Sequence, residues 1–366
     1  MDHNLSERIA LLRFPLIVGI VFLHMYTAEV AYVPINEAAN IFTVLSYYIP
    51  NVLAIVVVPL FFLLAGYLFF INFQYSFAFF IQKYKSRFRT LVVPYILWNL
   101  IILAFYTIAQ TLPATAHYFN GERPYVFLLH GHELLELFFG YGKFQYPVAF
   151  QFWFIRDLII LVLLSPLIYL ALKKIPYLFL SFFAILWIFG LYEDNILKTD
   201  FFSTFFFCLG GFLALKKYNF SLSDRYAKEI IILYLIVSFM DLYYQNEILE
   251  NISVFIGTIA VFTASKYILN YQNLKKNLIK LSRYSFFVFA LHEPMLSIVR
   301  KVSFKFFTPQ HDFYIFVLYI ACPVLTIVVS IYVYELLEKI LPNILNVLVG
   351  NRVSPKVVSQ YIGTKS

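Results

Sequence analysis

The stretch RIALLRFPLIVGIVFLHMYTAEVAY, Arg8 to Tyr32, decides the fold. Most of it is an apolar run of membrane-spanning length, since about 20 apolar residues cross the hydrocarbon core of a bilayer. It nevertheless carries Arg13 towards one end and His24 further along. Eleven steps of about 100° turn a helix three times plus roughly 20°, so both side chains share one face, about 16 Å apart along the axis. Ionisable groups are costly in hydrocarbon and therefore face a bundle interior or a wet cavity. One helix thus offers a fixed cation near one membrane surface and a base near the other. The bland alternatives are a His24 bonded to neighbouring backbone and an Arg13 that snorkels to lipid phosphate. Pro15 loosens the helix beside Arg13 and frees a carbonyl.

The composition agrees with this opening. Hydrophobic residues make up 61% of the 366 and charged residues 13%, against roughly 25% charged in a soluble domain. Such a chain cannot cover its own surface with polar groups. Windows of about 20 apolar residues predict ten helices, over 9–29, 50–72, 91–111, 152–172, 177–192, 201–215, 229–245, 251–270, 284–301 and 312–337. The expected fold class is an all-α polytopic integral membrane protein with about ten transmembrane helices and both termini cytoplasmic. On that threading, 20 of the 28 Lys and Arg residues fall on one side and 6 on the other, which makes the basic side cytoplasmic. The same distribution explains the net charge of +8 without nucleic acid. Arg8 counts there as a cytoplasmic loop residue, and Arg123, Lys198, Lys356 and Lys365 also enter the tally.

The expected organisation is a single transmembrane domain over 1–340 and a short cytoplasmic tail over 341–366. Residues 112–150 form its one long extracytoplasmic loop, with a short amphipathic helix around Val126–Phe139. Long loops in compact domains are commonly functional, so this one reads either as a lid or as an interfacial segment. No cleavable leader is expected, because the first apolar helix is too long and lacks a small-residue cleavage site. Cys208 and Cys322 lie in apolar runs and read as packing residues. His117, His130 and His132 lie in the outer loop, but HGH is a weak metal signal and no metal is expected.

Four further stretches carry polar residues at membrane depth. In PLFFLLAGYLFF, Pro59–Phe70, the pair Ala65–Gly66 allows another backbone to approach closely. FWFIRDLIILVLLSPLIY, Phe152–Tyr169, holds Trp153, Arg156 and Asp157. Adjacent side chains diverge on a helix, so Arg156 and Asp157 are each expected to need a partner elsewhere, on the first or ninth helix, on a polar acceptor or among lipid headgroups. Trp153 reads as an interfacial anchor or as support for the site. RYSFFVFALHEPMLSIVRK, Arg283–Lys301, places His292 and Glu293 mid-membrane, with Pro294 expected to break the helix beside them and Ser285 on the face of His292. YELLEK, Tyr334–Lys339, brings Glu335 and Glu338 to the cytoplasmic end in structural roles.

Taken together, these pieces resemble the membrane-bound acyltransferase 3 family. The resemblance rests on Arg13 and His24 at the family's arginine–ten residues–histidine spacing, on FFLLAGYLF (Phe61–Phe69), FWFIRDL (Phe152–Leu158), LSPLIY (Leu164–Tyr169) and FFVFALHEP (Phe286–Pro294). Ala65 stands where many relatives carry serine, so no catalytic hydroxyl is expected there. The resemblance implies transfer of an acyl group, most often acetyl from acetyl-CoA, to a hydroxyl of a surface carbohydrate or lipid-linked sugar, in the cell inner membrane. It assigns Arg13 to the acyl-CoA donor, His24 to the role of general base or transient acyl carrier, and His292 with Glu293 to supporting His24 or the oxyanion. Arg156, Asp157 and Trp153 then support substrate or structure. The partners are acyl-CoA, a carbohydrate or glycolipid acceptor and the bilayer, with no nucleic acid and the oligomeric state left open. The alternative is a glycan or lipid-linked-sugar transporter, which also uses intramembrane charges and proline-broken helices.

Overall fold

The structure is a computed structural model that describes residues 3–25, 41–117, 119, 124–191, 200–307 and 311–352. Arg123, Lys198, Lys356 and Lys365, the outer end of the first window and the last fourteen residues of the tail lie outside the described residues. Among those described the chain is helical throughout, with no strand. Each of the ten apolar windows overlaps a helix, the fourth (152–172) being divided into two and the first (9–29) extending past the end of its helix at Leu23. These are α1 (His3–Leu23), α2 (Ile41–Phe70), α3 (Phe77–Thr111), α4 (His132–Phe139) in the outer loop, α5 (Trp153–Leu163), α6 (Ser165–Lys174) and α7 (Pro176–Ile188). Then follow α8 (Phe201–Leu215), α9 (Ala227–Tyr244), α10 (Glu247–Ile268), α11 (Gln272–Leu281), α12 (Ser285–Phe306), α13 (Asp312–Ile340) and α14 (Pro342–Leu348).

Length and composition alone qualify α2, α3, α10 and α13 as membrane spans, and α5 with α6 make a fifth if they are one span bent by 63°. Pro166, second residue of α6, removes the N–H that would bond the carbonyl four residues back, and the helix turns there. The helices that carry the polar residues of interest fall outside that group because of those residues: α1 holds Glu7, Arg8 and Arg13, and α12 holds Glu293, Arg300, Lys301 and Lys305. The chain is a multi-pass membrane protein.

The tightest helix pair is α2 against α8, and glycine is the cause. A Cβ on Gly66 would lie 2.0 Å from the Phe207 carbonyl oxygen, and one on Gly210 1.9 Å from that of Leu63. The close approach expected of Ala65–Gly66 is therefore met by a second glycine on the partner. Backbones meeting this closely gain dispersion contacts that larger residues would block. Gly210→Ala is expected to force the pair apart at a cost of about 1–3 kcal/mol. A thermal melt in detergent that matched wild type would contradict this packing.

Three expectations are corrected. Arg8 is not a loop residue: α1 begins at His3, and the Arg8 side chain is 2% exposed. It pairs with Asp224 at 2.8 Å, donates to Ser265 Oγ at 2.8 Å and to the Phe262 carbonyl at 2.7 Å, and lies over the Phe262 ring. The segment 126–139 is not one helix, because Gly131 adopts a positive φ of 50° and divides it into a single 3-10 turn and α4. Pro294 does not break α12, which runs through it unbroken.

Basic groups from separate connections meet at the end of the bundle where α1 starts. Lys275 pairs with Glu7, Lys266 donates to the Asp224 carbonyl, and Arg283 pairs with Glu338. Tyr284 donates to Glu335, so both acidic residues of the YELLEK segment have structural partners. His24 and the 124–150 segment lie towards the other end.

Candidate functional site

The site is built where α1 ends. His24 directly follows α1, its backbone N–H donating to the Ile20 carbonyl at 3.2 Å. Its ring stands edge-on to Phe150, with centroids 5.5 Å apart, and 5.2 Å from the ring of His292 on α12. Two of the three proposed catalytic residues, separated by most of the chain, therefore touch. Glu293, the third, lies within electrostatic reach of His24.

His292 is completely buried and its tautomer is set by the backbone. Nδ1 lies 2.6 Å from the Phe289 carbonyl oxygen, which only accepts, so Nδ1 carries the proton. The lone pair then sits on Nε2, which is buried and has no hydrogen-bond partner among the described residues. An unmatched buried acceptor costs free energy, and sites of chemistry are where such a cost is retained.

Pro294 contributes through what it lacks. Without an N–H it leaves the Ala290 carbonyl, one turn earlier, without its helical donor. Gln151 Nε2 donates to that carbonyl at 2.6 Å. Gln151 is 2% exposed, and its own Oε1 is buried with no hydrogen-bond partner among the described residues. It belongs to the 3-10 turn Phe150–Phe152, whose neighbouring Phe150 meets His24 and whose Phe152 packs against Trp98 and Phe289. The proline thus opens a carbonyl in α12, the glutamine fills it, and the turn carrying the glutamine lines the histidine pair. Sequence reasoning missed Gln151 and Phe150. The usable signal was a glutamine opening an otherwise apolar run.

Beyond Phe150 lies a cavity of about 380 Å³ lined by Tyr106, Gln110, Phe144, Gln145, Tyr146 and Phe150, among others. Tyr146 stands edge-on to Phe150 with centroids 4.7 Å apart. Aromatic walls with a few amide groups suit sugar rings, which present C–H faces and hydroxyl edges. The wall is anchored by Arg156, whose Nη1 donates to the carbonyls of Gly140 at 2.6 Å and Gln145 at 3.0 Å. Lys143 pairs with Glu133 on α4 and, chiefly through that hydrogen bond, holds its carboxyl below the usual range.

The expected divergence of Arg156 and Asp157 is corrected here. Nε and Nη2 of Arg156 donate to Asp157 Oδ1 at 3.1 and 3.0 Å, because the long guanidinium arm folds back at the start of α5. Asp157 is fully buried and also accepts from Ser203 Oγ and the Asp200 N–H, both at 3.3 Å. The pair positions the loop, and each residue also has the partners elsewhere that the sequence led one to expect: backbone carbonyls of the loop for Arg156, and Ser203 with the Asp200 N–H for Asp157. Trp153 likewise packs inward, among Phe62, Phe154 and Phe202.

Arg13 sits midway along α1, because the helix begins at His3, and not near its inner end as the apolar run suggests. It is solvent-accessible although Leu11, Leu12 and Phe14 around it are buried. Among the described residues no three His, Cys, Asp or Glu side chains converge in a way that could hold a metal ion.

A family model described as an acyltransferase domain matches residues 7–335. The chain is also similar to the succinoglycan biosynthesis protein ExoH of Rhizobium meliloti (strain 1021), with 25% identity over 97% of this chain and 95% of that protein. No solved structure matches. The chain belongs to the membrane-bound acyltransferase 3 family.

Proposed function

We propose that this chain is an integral-membrane O-acyltransferase of the inner (cytoplasmic) membrane. It moves an acyl group, in the first instance acetyl from acetyl-CoA, to a hydroxyl of a surface polysaccharide or lipid-linked sugar. The observation that carries the reading is the contact of His24 with His292 beside Phe150, at the inner edge of an aromatic cavity. The similarity to a succinoglycan biosynthesis protein supports a polysaccharide acceptor.

In this reading His24 takes the proton of the acceptor hydroxyl as its oxygen adds to the thioester carbonyl. The tetrahedral intermediate collapses, the carbon–sulfur bond breaks, and the thiol leaves with a proton returned from His24. Glu293, within electrostatic reach, stabilises the imidazolium while His24 holds the proton. His292 is a positioning residue, since its backbone-locked ring packs against His24. Arg13, about 16 Å along the helix from His24, binds the donor's phosphates. Arg156, Asp157 and Trp153 hold the acceptor wall.

The ten helical windows all cross the bilayer in this reading, with both termini cytoplasmic. Reporter fusions at His3 and Arg352 should both report the cytoplasm, and an external signal from either would refute the threading.

The activity is tested with purified protein in liposomes given labelled acetyl-CoA and an acceptor glycan. Label is expected in acid-stable, base-labile ester linkage to the glycan. Acceptor crossing the bilayer with no ester formed would instead be the transporter's signature, a reading that family membership does not favour.

A further inference from the structure

The described residues after α13, 341–352, are docked, and they carry Arg352 to a defined place. Leu345, Leu348 and Val349 are buried, and the Trp98 indole N–H donates to the Leu348 carbonyl at 3.1 Å. Gly350 adopts a φ of 69° and sits so close to α3 that a Cβ would lie 2.7 Å from the Thr90 carbonyl oxygen. That turn delivers Arg352. Its Nη2 donates to the Thr90 carbonyl at 3.0 Å, and its guanidinium lies 4.0 Å over the ring of Phe286 at the start of α12. Arg87 is one helical turn before Thr90 on α3.

Arg352 lies within electrostatic range of both Arg13 and Arg87. Its side chain is solvent-accessible, yet protein surrounds it closely enough that burial, ahead of the two neighbouring cations, lowers its proton affinity. No carboxylate among the described residues forms an ion pair with Arg87 or Arg352. Like charges gathered this way repel, and an anion that accepts several hydrogen bonds at once offsets the repulsion.

We propose that the segment 341–352 belongs to a binding site: Arg352, with Arg13 and Arg87, takes the phosphate groups of an anionic ligand on the side of the histidine pair where α12 starts. Planar guanidinium forks match phosphate oxygens bidentately, so the site suits a diphosphate or clustered phosphomonoesters better than a lone carboxylate. Resting on the acyl-CoA reading above, the soluble occupant is the nucleotide end of the donor. Phe286, six residues before His292 on α12, lies about 9 Å along the axis from it. The ligand's acyl arm therefore points along α12 towards the histidine pair.

The test uses the full chain in nanodiscs and does not require turnover. Inorganic pyrophosphate and coenzyme A are titrated by calorimetry in neutral phosphatidylcholine discs. Both are expected to bind and to compete, with Arg352→Gln and Arg87→Gln each weakening binding at least tenfold and Arg352→Lys weakening it less. Lys143→Gln, at the outer cavity, should leave both affinities unchanged. If neither soluble anion binds but phosphatidylglycerol is retained in native mass spectra in an Arg352-dependent way, the phosphate site stands and its source is a lipid headgroup. Affinities and lipid retention unchanged in Arg352→Gln protein with wild-type melting would overturn the site. Pyrophosphate binding without any acyl transfer would sink the enzyme reading while leaving this site intact.

Discussion

Replacing His24 by alanine is expected to lower acyl transfer by roughly 10²–10⁴-fold, the range typical for loss of a general base. The side chain has ring contacts with Phe150 and His292, so its removal should leave the helix ends and Arg13 in place. Donor binding measured separately from transfer should therefore stay near wild type. His24→Gln keeps much of the volume but cannot exchange a proton at neutral pH, and it should be as impaired as alanine. His292→Gln should reduce the rate less, because His292 acts through the orientation of His24. Added imidazole should recover part of the activity of His24→Ala if His24 is a base, and a labelled acyl group trapped on wild-type His24 would assign it the carrier role instead. Transfer that persists unchanged in His24→Ala removes it from the mechanism.

Asp224→Ala is expected to destabilise the protein by about 3 kcal/mol, the low end of the cost of stranding a buried charge, because Asp224 itself is partly exposed. Arg8 would keep its bonds to Ser265 and the Phe262 carbonyl but lose its counter-ion. The double variant Arg8→Met, Asp224→Ala should recover most of that loss, since a well-packed apolar replacement avoids desolvating either charge. Melting in detergent at matched lipid content checks both. A single variant as stable as wild type would mean that the pair contributes little to holding the end of α1.

Much of the architecture was legible before the helices were seen, because a helix is a local object. Each of the ten apolar windows falls on helix, one of them on two helices, and Ala65–Gly66 marked the face at which α2 meets α8. The misses share a cause. Arg156 and Asp157 were read from the divergence of adjacent Cβ atoms, but a guanidinium on four rotatable bonds folds back further than that rule allows. Arg8 was read as a loop charge because charge predicts exposure, whereas its donors are satisfied by α10 and by Asp224 from the connection before α9. Pro294 was read as a break, but one missing hydrogen bond is tolerated when another donor, Gln151, meets the freed carbonyl.

The amino-acid order by itself determined that this is a membrane helical protein, placed Arg13 and His24 on one face of its first helix and carried the motifs of an acyltransferase family. Those properties follow from hydropathy and from the 3.6-residue period, which need no partner. Only the tertiary structure decided what the face looks at. The meeting of His24 with His292, the cavity beside Phe150 and the arrival of Arg352 near Arg13 depend on which helix sides pack together. That choice is made by glycine contacts, buried ion pairs and freed carbonyls between residues tens to hundreds of positions apart, and no local pattern along the chain encodes it.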